Sequence, residues 1–191
     1  MTTARKGLAT LVVIGVTGAL AAFGTFSAFS DTKSNSGNSF STGTVTLTDN
    51  ASTAAMFNAV TGAAPGAAST DRCIKVSYTG SLAATVKLYT TDSSGGNLAP
   101  YTDVTITPGT YSGAEPAFPS CTNFAASGAA IYTGTLDSFR TTKNSYANGV
   151  TGVASPNVVY KFSYTVSSSA PDTVQGGTTG SHSYTWEARN N

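Results

Sequence analysis

Apolar and polar residues alternate with a period of two along much of the chain. The alternation is clearest over residues 74–78, 82–89, 104–107, 158–166 and 184–188, and a Thr-rich stretch with Phe40, Val45 and Leu47 precedes these. Because successive side chains of a strand point to opposite faces of a sheet, this pattern predicts strands with one buried face. The spacing indicates about seven or eight strands.

Turn-forming residues separate the predicted strands. We expect a hairpin turn over residues 78–81, a longer loop over 92–97, and turns at 108–109 and 175–177. Two segments predict short helices instead. One covers residues 53–60, with Met56 and Phe57 as apolar contacts, and the other covers 136–146.

These elements together predict an all-β fold. Two antiparallel sheets would pack face to face as a sandwich, with one or two short helices in the loops. Jelly-roll and immunoglobulin-like connections both fit the pattern. The composition agrees, because 40% of the residues are hydrophobic while strong helix formers such as Glu, Lys and Gln are scarce.

The N-terminus departs from the alternation. Arg5 and Lys6 precede an apolar stretch over residues 8–23, which is shorter than the ~20 residues of a membrane-spanning helix. Small residues then follow, and Thr25 and Ser27 suit the positions that a signal peptidase reads. Residues 1–27 are therefore predicted to be a helical signal peptide, cleaved between Ser27 and Ala28. The alternative is an uncleaved N-terminal anchor.

The remainder, residues 28–191, is predicted to be one β-sandwich domain that begins with an arm over residues 28–38. Ala28, Phe29, Ser30, Asp31 and Thr32 form its tip, and a polar connector follows. Such an arm can add as a strand to the sheet edge of another copy. The alternatives are an edge strand folded onto its own sheet and a disordered terminus.

Charge and cysteine content narrow the classes of function. Only 10% of the residues are charged and no basic patch is visible, so we expect no nucleic-acid partner.

Cys73 and Cys121 are the only cysteines. In an exported protein such a pair predicts a disulfide. A redox or metal pair is the alternative, but the chain has no C-x-x-C motif.

The sequence indicates no catalytic site. Hydrolytic zinc sites use about three protein ligands, commonly with several histidines, and His182 is the only histidine. The acidic residues are scattered and no G-x-S-x-G motif is present. We expect His182 to be a polar residue at the edge of the last strand, and we predict neither a cofactor nor a metal site.

Several stretches resemble the TasA/camelysin family. They are residues 24–32 (GTFSAFSDT), 38–45 (NSFSTGTV), 73–80 (CIKVSYTG), 159–162 (VYKF) and 184–188 (YTWEA). The last two are similar to the closing strands of actinobacterial members. The resemblance implies a jelly-roll-like domain, cleavage by a signal peptidase of the SipW type, and self-association into extracellular or biofilm-matrix fibres through the N-terminal strand. The name camelysin implies instead a surface metallo-endopeptidase.

We therefore expect a secreted structural protein, extracellular or cell-surface associated, without a stable membrane anchor after cleavage. One alternative is an adhesion module that does not polymerise, with an exposed face built from Tyr89, Tyr101, Tyr111 and Tyr132. The other is a camelysin-type metallo-endopeptidase.

Overall fold

The computed structural model describes residues 42–51, 54–57 and 60–190. The predicted signal peptide, its cleavage position and the arm over residues 28–38 lie outside these residues. The described strands are β1 (Leu47–Asp49), β2 (Thr70–Tyr78), β3 (Ala84–Tyr89), β4 (Thr102–Tyr111), β5 (Phe124–Ala126), β6 (Tyr132–Thr135), β7 (Val150–Thr151), β8 (Val158–Val166) and β9 (Thr185–Asn190). The described residues also include helix α1 (Leu136–Thr142) and two 3-10 turns, Ala99–Tyr101 and Asp172–Val174.

The strands form two antiparallel sheets. The larger sheet has the order β1-β2-β8-β4-β5, and β6 also pairs with β4. The smaller sheet has the order β7-β3-β9. This arrangement confirms the all-β, two-sheet sandwich that the alternation predicts.

The core lies between the two sheets and follows the alternation. On β8, Tyr160 and Phe162 are fully buried, and each lies opposite an apolar residue of a neighbouring strand, Ile74 and Ile106 respectively. Trp186 of β9 meets both rings from the other sheet, with centroid distances of 5.8 and 6.0 Å. Aromatic side chains bury large apolar areas, so these contacts contribute much of the attraction between the sheets.

Helix α1 confirms the helix predicted over residues 136–146, although it ends at Thr142. It begins where the Thr135 hydroxyl accepts a hydrogen bond from the main-chain N–H of Ser138 at 3.1 Å, which caps the first turn. Leu136 and Phe139 are buried against the core. The helix predicted over residues 53–60 lies partly outside the described residues. Within it, residues 54–55 have no regular structure and residues 56–57 form a turn.

Two predicted turns are wrong. Residues 78–81 do not form a hairpin turn, because β2 and β3 belong to different sheets and the chain crosses between them here. Residues 108–109 continue β4 rather than ending it. Gly109 is needed there for close approach, since a Cβ at this position would lie 2.2 Å from the Ala125 carbonyl oxygen of β5.

The predicted disulfide between Cys73 and Cys121 is confirmed. Cys73 lies on β2 and is fully buried, while Cys121 lies in the connection between β4 and β5, residues 112–123. The main-chain N–H of Cys73 also donates to the Pro119 carbonyl at 2.9 Å. The crosslink therefore holds this connection against the outer face of the larger sheet.

Removal of the disulfide should lower stability strongly. The bond closes a loop of 48 residues, and the chain-entropy treatment gives about 4 kcal/mol for a loop of that length. We expect Cys73→Ala/Cys121→Ala to lose about that free energy of unfolding in a urea titration. Wild-type protein with and without reductant is the control that isolates the crosslink from the lost side chains. A difference below about 1 kcal/mol would contradict this expectation.

Candidate binding groove between the sheet edges

A cavity of about 1240 Å³ lies beside the sandwich core. It is larger than most small-molecule sites, which occupy about 300–1,000 Å³. Apolar side chains of β1, β2 and β9 line it, together with residues of the segment that connects β1 to β2. These include Leu47, Ile74, Val76, Trp186, Met56 and Phe57. We call this space the edge groove, because β1 and β9 are edge strands of their sheets.

The described residues of the connecting segment contact the sandwich, and Met56 and Phe57 pack against its core. The ring of Phe57 stacks on Tyr164 of β8, with centroids 4.0 Å apart and planes inclined by 22°. The main-chain N–H of Gly66 donates to the Val166 carbonyl at 2.9 Å. Most described residues of the segment are exposed, so it lines the groove without filling it.

Hydrogen-bonded side chains lie at one end of the edge groove. The Tyr164 hydroxyl contacts His182 Nε2 at 2.8 Å and also bonds the Tyr184 hydroxyl. His182 Nδ1 lies 3.4 Å from the Gly180 carbonyl oxygen. A neutral imidazole satisfies both of these hydrogen bonds, because its Nδ1–H donates to the Gly180 carbonyl while its Nε2 accepts from the Tyr164 hydroxyl.

Burial shifts the titration of this cluster. It lowers the pKa of His182, although the Gly180 carbonyl and the Asp92 carboxylate act in the opposite direction. Burial also raises the pKa of Tyr164 and of Tyr184. All three shifts therefore favour the neutral form of the cluster.

The loop over residues 92–97 is hydrogen-bonded to Thr179 and Ser183, which line the same end of the groove. Asp92 accepts hydrogen bonds from the main-chain N–H and the hydroxyl of Ser183, and from the Thr90 hydroxyl at 3.0 Å. Gly95 lies against the buried guanidinium of Arg140, where a Cβ would fall 1.3 Å from Nη1. These contacts fix the path of the chain into β9.

Two buried groups in this region carry N–H donors that have no acceptor among the described residues. They are Nε1 of Trp186 and Nε and Nη1 of Arg140. Arg140 is otherwise paired with Asp137 at 2.8 Å. Buried donors are usually satisfied, and Trp186 lines the edge groove.

The structure places the sequence-predicted residues as follows. His182 lies three residues before β9 and is half-buried, so the expectation of a strand-edge position is wrong. Tyr89, Tyr101, Tyr111 and Tyr132 are all half-buried and are divided between the two sheets and a 3-10 turn. Within the described ranges, no three His, Cys, Asp or Glu side chains are grouped as metal ligands.

No pattern in the sequence predicts the edge groove. The alternation over residues 184–188 predicts a strand that includes Tyr184 and Trp186, but no local pattern shows that this strand lies at a sheet edge. The segment over residues 54–68 offered the one available signal, since it is rich in alanine and lacks alternation.

No protein-family model matches this sequence, and no curated protein matches it. Within the described part of the chain, no helix has the length and hydrophobicity needed to cross a membrane.

The free energy of unfolding should decrease at acidic pH because of the titration of His182. Its unfolded pKa is near 6.5 and burial lowers the folded value. As the pH falls below about 6.5, the unfolded chain therefore binds a proton that the folded chain does not. We expect stability to decrease by at most about 1.4 kcal/mol per pH unit in that window, and to be insensitive to this group above about pH 7.5.

Thermal unfolding of wild type and His182→Gln at pH values between about 5 and 7.5 measures this effect. Glutamine retains an acceptor for Tyr164 but does not titrate, so its curve should be flatter. Equal slopes in the two proteins would contradict the assignment.

Proposed function

We propose that this chain is a secreted structural protein, a subunit of extracellular fibres that assemble by N-terminal strand addition. In this proposal Ala28, Phe29, Ser30, Asp31 and Thr32 of one copy add to the edge groove of the next copy. The observation that carries the proposal is a groove between two edge strands of the sandwich, with apolar side chains among those that line it.

The acceptor in this proposal is β9. Its six residues pair with β3 on one side, and no other described strand pairs with its second side. An edge strand presents main-chain donors and acceptors to any chain laid beside it. An added strand would bond to these groups, and its apolar side chains would enter the groove.

The donor would be the arm, whose pattern suits that role. Phe29 supplies one apolar side chain, while Ser30 and Asp31 are polar. Ala28 lies fourteen positions before Thr42, the first described residue. An extended chain of that length spans up to about 45 Å, so the tip can reach a neighbouring subunit.

The geometry of such an exchange favours open polymers. Each copy donates its arm at one place and accepts another arm elsewhere, so the contact is heterologous. Heterologous contacts need not close into a ring, and they then build filaments. The arm becomes a free chain end only after cleavage before Ala28, which would couple assembly to export and to a signal peptidase of the SipW type.

The disulfide supports an extracellular setting, and the low charge content supports association between copies. Disulfides persist mainly in oxidising compartments, and Cys73 is bonded to Cys121. The low content of charged residues, 10%, leaves little electrostatic repulsion between copies.

Substitution in the arm should block assembly without unfolding the domain. We expect the mature wild-type protein to form filaments in a concentration-dependent manner. Phe29→Asp should remain monomeric, because a carboxylate would be buried in the groove without a partner. Size-exclusion chromatography and negative-stain electron microscopy measure both outcomes.

Ser30→Asp is the matched control. It adds the same charge one residue away, where the side chain of an added strand points away from the groove. Filaments should therefore form with this variant. A wild-type protein that stays monomeric at high concentration would instead favour an adhesion module that does not polymerise.

A further inference from the structure

Three polar side chains meet on the outer face of the larger sheet. Lys75 lies on β2, Asn50 directly follows β1, and Glu115 lies in the connection between β4 and β5. The Lys75 ammonium donates to Oε2 of Glu115, and Nδ2 of Asn50 donates to Oε1 of the same carboxylate at 3.0 Å. One carboxylate therefore holds an amine beside a carboxamide.

The carboxamide is also fixed by the main chain. The N–H of Lys75 donates to Oδ1 of Asn50 at 2.9 Å, and the N–H of Asn50 donates to the Lys75 carbonyl at 3.2 Å. The first of these bonds polarises the carbonyl group of the side chain. It would also stabilise negative charge that develops on Oδ1 during attack at Cγ.

We propose that Asn50 and Lys75 become joined by an intramolecular amide bond, with Glu115 as the catalytic acid and base. Nζ of Lys75 gives a proton to Glu115 and attacks Cγ of Asn50. The tetrahedral intermediate collapses, the bond from Cγ to Nδ2 breaks, and the new bond from Cγ to Nζ remains. Glu115 carries both protons lost from Nζ to the leaving nitrogen, which departs as ammonium, and returns to its carboxylate form.

The starting state has the charges that this step requires. Hydrogen bonding from Lys75, assisted by Asn50, lowers the pKa of Glu115. The pair is thus an ammonium and a carboxylate in contact, and the first proton transfer occurs along an existing hydrogen bond. No external oxidant or cofactor is needed, because an amide replaces an amide.

Proximity and partial shielding favour the reaction. The Lys75 side chain is 26% exposed and that of Glu115 is 38% exposed. Because both side chains bind the same carboxylate, their reaction is a step inside one molecule rather than an encounter in solution. Among the lysines of the described ranges, Lys75 alone contacts a carboxylate that also binds a carboxamide. Lys161, which pairs with Asp71 at 3.5 Å, has no such neighbour.

The disulfide contributes to this arrangement. Cys73 and Lys75 are two residues apart on β2, so their side chains lie on the same face. The bond from Cys73 to Cys121 anchors the connection that carries Glu115. The proposed amide would then join residues 25 positions apart in sequence and would tie the three-residue strand β1 to β2.

Mass spectrometry of the purified mature protein tests the bond. Intact mass should be lower than the sequence mass, after correction for the disulfide, by one ammonia, about 17 Da. Trypsin does not cleave after an acylated lysine. A digest of the reduced protein should therefore contain residues 34–72 linked to residues 73–87.

Two variants should prevent the bond, and a third serves as their matched control. Lys75→Arg keeps the positive charge but removes the attacking amine, and Glu115→Gln keeps the shape but removes the base. Both should show the full sequence mass and no linked peptide. Lys161→Arg changes another paired lysine of the same sheet and should retain the loss of ammonia.

The proposal is overturned if wild-type protein keeps its full mass after prolonged incubation at neutral pH and releases residues 73–75 and 76–87 as separate peptides. Loss of ammonia without a linked peptide also overturns it, since a succinimide at an asparagine loses the same mass. Neither the intact mass nor the linked peptide depends on filament formation. Failure of this proposal can therefore be distinguished from failure of the proposed assembly.

Discussion

Burial of the inward side chains of β8 is the constraint on which the rest of the structure depends. β8 pairs with β2 on one side and with β4 on the other, so it is a central strand of the larger sheet. Tyr160 and Phe162 are fully buried and meet Trp186 of the smaller sheet. Because β9 pairs with β3 alone among the described strands, these aromatic contacts also help to hold its position relative to the larger sheet. The larger sheet has six described strands and the smaller has three, and their edge strands β1 and β9 both border the edge groove.

The strands that follow from the sequence are those long enough to show a period. β2 and β8 have nine residues each, and their alternation is evident. β5, β6 and β7 have three, four and two residues, which is too few to distinguish alternation from chance. Turn chemistry is informative but local. Residues 78–81 have the composition of a hairpin turn, yet nothing in them specifies that the next strand joins the other sheet.

Sites built from distant residues depend on the fold. The cysteine pair was predictable, because only one pairing exists and the predicted signal peptide favours a disulfide. Asn50, Lys75 and Glu115 are separated by 25 and 40 positions and carry no motif, so only the register of β1 on β2 and the path of the β4–β5 connection bring them together. The edge groove is a similar case, since its walls come from both sheets and from a segment without regular structure.

The two proposals meet at β1. In a filament joined through the arm, tension would enter each subunit at Thr42 and reach β1 through residues 44 and 46, whose carbonyls accept from Leu82 and Thr79. β1 lies at the edge of its sheet and pairs with β2 over three residues, so few main-chain hydrogen bonds resist its removal. The carboxylate that binds both Asn50 and Lys75 lies directly beyond that strand. A covalent bond there would pass the load into β2, and from β2 into the central strand β8. The polar cluster therefore lies where a crosslink would keep tension on β1 from reaching the segment beyond it.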